Sequence, residues 1–140
     1  MKIGIVSGYF NPLHQGHLEY IEASKSRCDH LVCIVNNDLQ VKLKGSKTFM
    51  DERHRRRIMA ALKCVDDAVI SVDDDRTVCK TITMIRTGMA DHTFAFFNSG
   101  DRKGKNTESS EVILCKKLGI KYVAIPMQKV YSSSKLLENL

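Results

Sequence analysis

The residues best suited to chemistry lie in one segment, Gly8 to His17, which reads GYFNPLHQGH. Its two histidines, His14 and His17, are three residues apart, and the apolar spacing that follows predicts that they begin a helix. A helix N-terminus attracts anions through its free N–H groups and its dipole. Imidazoles placed there can donate hydrogen bonds to phosphate oxygens and stabilise negative charge in a transition state. Because Gly8 and Gly16 also allow close backbone approach, the segment predicts a site for a phosphorylated ligand.

Short apolar runs and amphipathic segments alternate along the rest of the chain. They predict strands at 2–7, 31–35, 68–72, 93–97 and 120–125, and helices at 16–27, 51–63, 77–87 and 107–118, with a last short helix from 132 or 133 to 138. The polar stretch 36–50 is predicted to be irregular. This alternation of near-continuous apolar strands with helices indicates an α/β fold. We therefore predict one domain, residues 1–140, with a five-stranded parallel sheet and helices on both faces.

Open parallel sheets bind ligands beyond the carboxyl ends of their strands. The segments to inspect are therefore 8–17, 36–47, 73–77, 98–104 and 126–134. Two common phosphate-binding motifs are missing from them. The first strand is not followed by Gly-x-Gly-x-x-Gly, and the run Gly45-Ser46-Lys47-Thr48 lacks the earlier glycine and the buried strand of a P-loop.

Composition limits the class of protein. The 140 residues are 43% hydrophobic and 27% charged, which is typical of a globular domain, and the net charge of +6 favours an anionic partner. The five cysteines form no Cys-x-x-Cys pair, so we expect reduced thiols rather than a metal site. No apolar run approaches the length of a membrane span, and the N-terminus has the pattern of a strand rather than a signal peptide. We expect a cytoplasmic protein with no membrane partner.

The motif GYFNPLHQGH resembles the His-x-Gly-His motif of the nucleotidylyltransferase superfamily, whose members have a Rossmann-like fold. Within it, the chain is most similar to the glycerol-3-phosphate cytidylyltransferase-like proteins. The similarity continues through VNND, Lys44, ERHR, VDD, NSGDR and YSSS in the family's order. The resemblance implies transfer of a nucleoside monophosphate from a nucleoside triphosphate to a phosphorylated small molecule, usually with Mg²⁺. Pyrophosphate leaves and no covalent enzyme intermediate is expected.

The resemblance also implies roles for particular residues. His14, His17 and Lys44 match the catalytic residues that contact the triphosphate. The nucleotide-binding positions are Gly8, Tyr9, Phe10, Asn11, Gly16, Gly100, Asp101, Arg102, Ser132, Ser133 and Ser134. Arg55 matches a position that holds a phosphate of the acceptor or nucleotide, and its alternative is a salt bridge at the surface. Lys47 stands beside Ser46, where the pattern places a second lysine, and is expected to bind a phosphate or the acceptor. No protein ligand for a metal is predicted.

The chain departs from the cytidylyltransferase pattern at several of these positions. Asn11 stands where aspartate is usual, Ser46 stands where a second lysine is usual, and Arg102 replaces an aromatic residue. The serine triplet 132–134 is closer to the Ile-Ser-Ser-Ser style of some adenylyltransferases. CMP transfer to an acceptor such as glycerol 3-phosphate is the leading hypothesis. An adenylyltransferase that uses ATP on a sugar phosphate or cofactor precursor is the alternative.

Two other classes of function compete with an enzyme. A nucleic-acid-binding module could use the basic stretch 42–63, but aromatic residues are 6% of the chain, tryptophan is absent and no recognition motif occurs. We therefore expect no nucleic-acid partner. A non-catalytic nucleotide sensor would explain the changes at Asn11 and Ser46. Members of the family are often dimers, so the resemblance is compatible with a homodimer.

Overall fold

The computed structural model describes residues 1–99 and 109–126, which form five strands and five helices. The strands are β1 (Lys2–Gly8), β2 (His30–Val35), β3 (Asp67–Ile70), β4 (Thr93–Ser99) and β5 (Lys121–Ile125). The helices are α1 (Gln15–Lys25), α2 (Asp38–Leu43), α3 (Glu52–Ala60), α4 (Cys79–Gly88) and α5 (Ser110–Leu118). Every strand predicted from the sequence is present. The short helix predicted at 132–138 lies outside the described residues.

The five strands form one sheet in the order β3-β2-β1-β4-β5, and every neighbouring pair is parallel. This confirms the predicted α/β class and gives the Rossmann-like strand order. The chain runs outward from β1 to β3 on one side and then crosses back to β4 on the other. Ligands bind at such a reversal, beyond the carboxyl ends of the central strands. That point lies directly after β1, where the GYFNPLHQGH segment begins.

Helices cover both faces of the sheet, as predicted. Alternate residues of β2 point to opposite sides, with Leu31 and Cys33 in one apolar cluster and Val32 and Ile34 in the other. The first cluster also contains Tyr20 and Ile21 of α1 and Met59 of α3. The second contains Ile82 of α4 and Cys115 of α5. Burial of both faces explains why the strands are near-continuous apolar runs.

Helix α2 is the main departure from the sequence prediction, because 38–43 lies in the stretch predicted to be irregular. Asn37 caps this helix: its Oδ1 accepts a hydrogen bond from the Gln40 N–H at 2.9 Å, and Gln40 Oε1 accepts one from the Asn37 N–H at 3.0 Å. This is a capping box, with the amide side chains of Asn37 and Gln40 in the two capping roles. The Asn37–Gln40 spacing is the signal that could have revealed it. Lys44 follows directly as the C-cap residue.

Two other helix boundaries agree with the sequence. Asp51 caps α3 by accepting a hydrogen bond from the His54 N–H at 2.9 Å, and Gly119 ends α5 with φ of 69°. That left-handed conformation favours glycine. All five cysteines are free, with Cys33 and Cys115 in the core. Within 1–99 and 109–126, no helix has the length and apolar character to cross a bilayer.

Candidate active site

The first turn of α1 is held by the two motif histidines. His14 is the N-cap residue, and its Nδ1 accepts a hydrogen bond from the Gly16 N–H at 3.1 Å. His17 reaches back, and its Nδ1 accepts one from the His14 N–H at 3.1 Å. The two rings stack with centroids 3.6 Å apart. The three-residue spacing in the sequence thus becomes a capping box made of imidazoles.

These hydrogen bonds determine where each imidazole carries its proton. Because Nδ1 of both His14 and His17 accepts from a backbone N–H, the neutral ring must carry its hydrogen on Nε2. Burial lowers the pKa of His14. The pKa of His17 falls to about 3, first through burial and then through the charges of His14 and Lys44. At neutral pH both rings are therefore uncharged donors through Nε2–H, and neither Nε2 has a protein partner within 1–99 and 109–126.

Phe10 packs the turn between β1 and α1. Its side chain is buried, and its ring meets the His17 ring edge-on with centroids 5.0 Å apart. A Cβ at Gly8 would lie 2.7 Å from the Phe10 ring, so glycine at position 8 makes room for this side chain. Phe10 itself has φ of 49°, which is uncommon for a residue other than glycine. The group that packs closely against Gly8 is therefore the Phe10 ring.

Lys44 is distant in sequence but lies beside the turn between β1 and α1. Its Nζ lies 4.4 Å from the centroid of the Tyr9 ring, a distance typical of a cation–π contact. Its charge is also one of the causes that lower the pKa of His17. The three residues predicted to be catalytic, His14, His17 and Lys44, are therefore neighbours in the structure. Together they combine two neutral N–H donors with one fixed positive charge, which suits an anionic phosphate chain.

Asn11 holds the segment 44–50, which we call the lysine segment. Its Nδ2 donates a hydrogen bond to the Lys47 carbonyl at 2.8 Å. Its Oδ1 accepts hydrogen bonds from the N–H groups of Phe49 at 2.8 Å and Met50 at 3.3 Å. The sequence predicts that Asn11 lines a nucleotide pocket. In the structure both ends of its buried amide instead contact the lysine segment.

Arg55 requires a correction. The sequence predicts that it holds a phosphate or, alternatively, forms a salt bridge at the surface, but its side chain has no exposed surface. It donates hydrogen bonds to the carbonyls of Met50, Tyr9 and Asn36 at 2.8, 2.9 and 2.6 Å, and it pairs with an Asp38 carboxylate oxygen at 2.7 Å. Contact with a phosphate would require breaking these bonds. We therefore expect Arg55 to support the site from beneath.

The remaining predicted residues differ in what the structure says of them. Gly16 lies in the first turn of α1, where its N–H is bound by His14. Lys47 is exposed on the lysine segment, so its side chain is available to a phosphate. The predictions for Gly100, Asp101, Arg102 and Ser132–Ser134 concern residues outside the described ranges.

Among residues 1–99 and 109–126, the side chains do not form a protein site for Mg²⁺. Within the described ranges, no group of three or more His, Cys, Asp or Glu side chains could hold a metal ion. Mg²⁺ prefers oxygen ligands and often binds largely through the phosphates of a substrate. None of the described side chains is therefore assigned to Mg²⁺.

The matches to known proteins identify the family of the chain. A profile of the family described as Cytidylyltransferase-like matches residues 5–139. The chain belongs to this family. The matched residues include the histidine motif, Lys44 and most of the sheet. The family expected from GYFNPLHQGH is thereby confirmed.

Individual members of the family show how far the similarity extends. The bifunctional protein HldE of Bradyrhizobium sp. (strain ORS 278) is 29% identical over 140 residues, which cover 99% of this chain and 26% of HldE. The chain thus spans about a quarter of that relative's length. The FAD synthase of Picrophilus torridus is 36% identical over 86 residues, covering 61% of this chain and 60% of the synthase.

Solved structures support the fold. The lipopolysaccharide core biosynthesis protein of Thermoplasma volcanium GSS1 superposes with a TM-score of 0.68 at 26% identity, covering 94% of this chain and 99% of that one. The bifunctional NMN adenylyltransferase/ADP ribose pyrophosphatase of Francisella tularensis has a TM-score of 0.68 at 13% identity. It covers 99% of this chain and 41% of that one. At that identity the second match shows the shared fold alone.

The buried role of Arg55 can be tested by unfolding. Arg55→Ala leaves three carbonyl groups without their donor and Asp38 without its partner, so the free energy of unfolding should fall by about 3 kcal/mol or more. Urea unfolding measures the change. Arg57→Ala, on an exposed side chain of the same helix, should change stability by less than about 0.5 kcal/mol. Equal effects of the two substitutions would contradict the buried role.

The lowered pKa of His17 predicts how stability depends on pH. The folded protein keeps His17 neutral to about pH 3, whereas the unfolded chain takes up this proton below its ordinary value of 6.5. The unfolded state therefore binds more protons in this window, and stability falls as the pH drops. Between about pH 8 and pH 5, wild type should lose about 2 kcal/mol more than His17→Asn, which keeps an acceptor for the His14 N–H. If the free energies of unfolding of wild type and His17→Asn changed equally with pH, the lowered pKa of His17 would be ruled out.

Proposed function

We propose that this chain is a nucleotidyltransferase that moves a nucleoside monophosphate from a nucleoside triphosphate to a phosphorylated small molecule. The observation that carries the proposal is the meeting of His14, His17 and Lys44 at the switch point of the sheet. Membership of the Cytidylyltransferase-like family supports it. A sensor that binds nucleotide without turnover is the competing interpretation, and the kinetic test below separates the two.

The proposed reaction is one in-line displacement at phosphorus. An oxyanion of the acceptor's phosphate attacks the α-phosphorus, a new P–O bond forms, and the bond from the α-phosphorus to the bridging oxygen breaks. Pyrophosphate leaves with that electron pair, so no proton transfer is required at the reacting atoms. Catalysis of this kind depends on positioning and on neutralising charge at the phosphate oxygens. The site is built for that task rather than for nucleophilic attack by a side chain.

The charge states of the three residues suit separate parts of this task. The neutral imidazoles of His14 and His17 donate Nε2–H to phosphate oxygens without changing protonation during turnover. Lys44 brings the positive charge, and its neighbour His17 stays neutral because burial lowers the pKa of its ring, with a smaller contribution from the charge of Lys44. Lys47 is exposed on the same segment and is the proposed contact for the acceptor's phosphate.

The choice of base is between cytosine and adenine. The cytidylyltransferase-like sequence pattern favours CTP. The name FAD synthase among the similar proteins supports ATP equally well. The name lipopolysaccharide core biosynthesis protein supports a phosphorylated sugar as the acceptor class. Both CTP and ATP are therefore included in the binding measurement.

Nucleotide binding is measured first, by thermal unfolding with CTP, ATP, GTP or UTP, each with Mg²⁺ as the usual counter-ion of a triphosphate. A ligand that binds the native state raises the melting temperature, and at about a hundredfold excess over Kd it adds about 2.7 kcal/mol. A rise with CTP alone selects the cytidylyl reaction, and a rise with ATP alone selects the adenylyl reaction. No rise with any triphosphate would contradict the proposed function.

Turnover tests the proposed catalytic residues. With the nucleotide that binds and a panel of sugar and polyol phosphates, pyrophosphate release measures the rate. Lys44→Ala and His17→Ala should each lower kcat about a hundredfold, as loss of a charge-stabilising donor does. Lys42→Ala is the matched control, because Lys42 is exposed on α2 two residues before Lys44. Binding of nucleotide with no turnover of any acceptor would favour the sensor instead.

A further inference from the structure

The lysine segment is attached to the residues that follow β1 at several points. Tyr9 contacts the Lys44 ammonium, and Asn11 contacts the Lys47 carbonyl and the N–H groups of Phe49 and Met50. These contacts join parts of the chain that are 35 to 39 residues apart. They lie on both sides of Phe10, inside the motif that also supplies the histidines. The Gly8–His17 motif therefore positions Lys44 and also contains the two histidine donors.

The chemistry of the Asn11 amide matches this task. It must donate through Nδ2 to a carbonyl and accept through Oδ1 from two N–H groups. An aspartate could make the second set of contacts, but it has no hydrogen to give to the Lys47 carbonyl and would face it with negative charge. Since Asn11 is 6% exposed, water cannot readily replace the lost donor. Position 11 in this chain thus requires an amide.

The Tyr9 ring holds the other end of the lysine segment, through its contact with Lys44. Between Lys44 and the Asn11 contacts lies Gly45, which has φ of 85° and turns the chain in a left-handed conformation. A cation over an aromatic face is held by the ring's quadrupole, so the phenyl group matters more than the hydroxyl. The Tyr9 carbonyl is fixed in turn by a hydrogen bond from buried Arg55. The backbone of Tyr9 is therefore anchored to the core through Arg55.

We propose that Tyr9 and Asn11 are positioning residues that dock the lysine segment on the end of β1, so that Lys44 stands beside His14 and His17 before a nucleotide binds. A charge placed in advance stabilises the transition state without a cost of reorganisation. This inference rests on the proposed function for its catalytic consequence, but the docking itself is a property of the protein without nucleotide. The direct nucleotide contact that the sequence predicts for these two residues is the alternative that the kinetic test separates from docking.

The docking is tested first without nucleotide. Acetic anhydride labelling, read by mass spectrometry, gives the ratio of acetylation at Lys44 to that at exposed Lys42. Tyr9→Leu should raise this ratio about threefold, as expected for loss of an exposed cation–π contact, whereas Tyr9→Phe should keep it. Hydrogen exchange of the Phe49 and Met50 amides should become about tenfold faster in Asn11→Ala. In Asn11→Asp these amides should stay protected, because their acceptor remains.

Kinetics then test the catalytic consequence. Tyr9→Leu and Asn11→Asp should lower kcat about tenfold while the nucleotide Kd changes less than about threefold, since misplacing a catalytic group affects the transition state most. Tyr9→Phe should restore most of the rate lost in Tyr9→Leu. Urea unfolding of each variant checks that it is folded at the assay temperature.

The outcomes separate the two proposals. If wild type transfers no nucleotide but the labelling and exchange results hold, the proposed function fails and the docking stands. If wild type is active and the variants raise Kd with kcat unchanged, Tyr9 and Asn11 contact nucleotide directly and the positioning role is overturned. Unchanged labelling in Tyr9→Leu and unchanged exchange in Asn11→Ala would overturn the docking itself.

Discussion

The guanidinium of Arg55 has no exposed surface, and its donors go to three backbone carbonyls from three different parts of the chain. Tyr9 follows β1, Asn36 follows β2, and Met50 ends the lysine segment. A buried charge is costly unless it is paired and hydrogen-bonded, and this one pairs with Asp38 as well. Because this single group needs all of these partners, it fixes the ends of β1 and β2 relative to α2, α3 and the lysine segment. The rest of the site is built on that frame.

On this frame the site separates hydrogen-bond donation from charge. The histidines use one ring nitrogen each to cap α1, which fixes the rings and leaves the other nitrogen as a donor. Lys44 arrives from α2, and its charge helps to keep His17 neutral. An anion would therefore meet two fixed dipoles and one fixed cation, together with the N-terminus of α1. Each of these interactions favours negative charge, and their geometry is set before a ligand arrives.

Much of the site could be predicted from local sequence, and the exceptions have a common cause. His14 and His17 share one helical turn, so their spacing already placed them together, and the Asp51 cap and Gly119 stop were equally local. Helix α2 was also encoded locally, in the Asn37–Gln40 capping box, but its six residues are too few to show a helical period, and Leu39, Val41 and Leu43 alternate as in a strand. By contrast, nothing near Arg55 in the sequence distinguishes it from the exposed arginines beside it.

The class of fold, the order of its elements other than α2, and the family could be predicted from the sequence, because periodicity, caps and a compact motif are properties of neighbouring residues. Tertiary structure decided what Tyr9, Asn11 and Arg55 do. Apart from Met50, which is five residues from Arg55, their partners lie 17 to 46 residues away along the chain, in segments brought together by the packing of the sheet and its helices. Hydrogen-bond donors and acceptors acquire their roles from what surrounds them after folding. A buried amide or guanidinium therefore has the same sequence signature as one that binds a ligand.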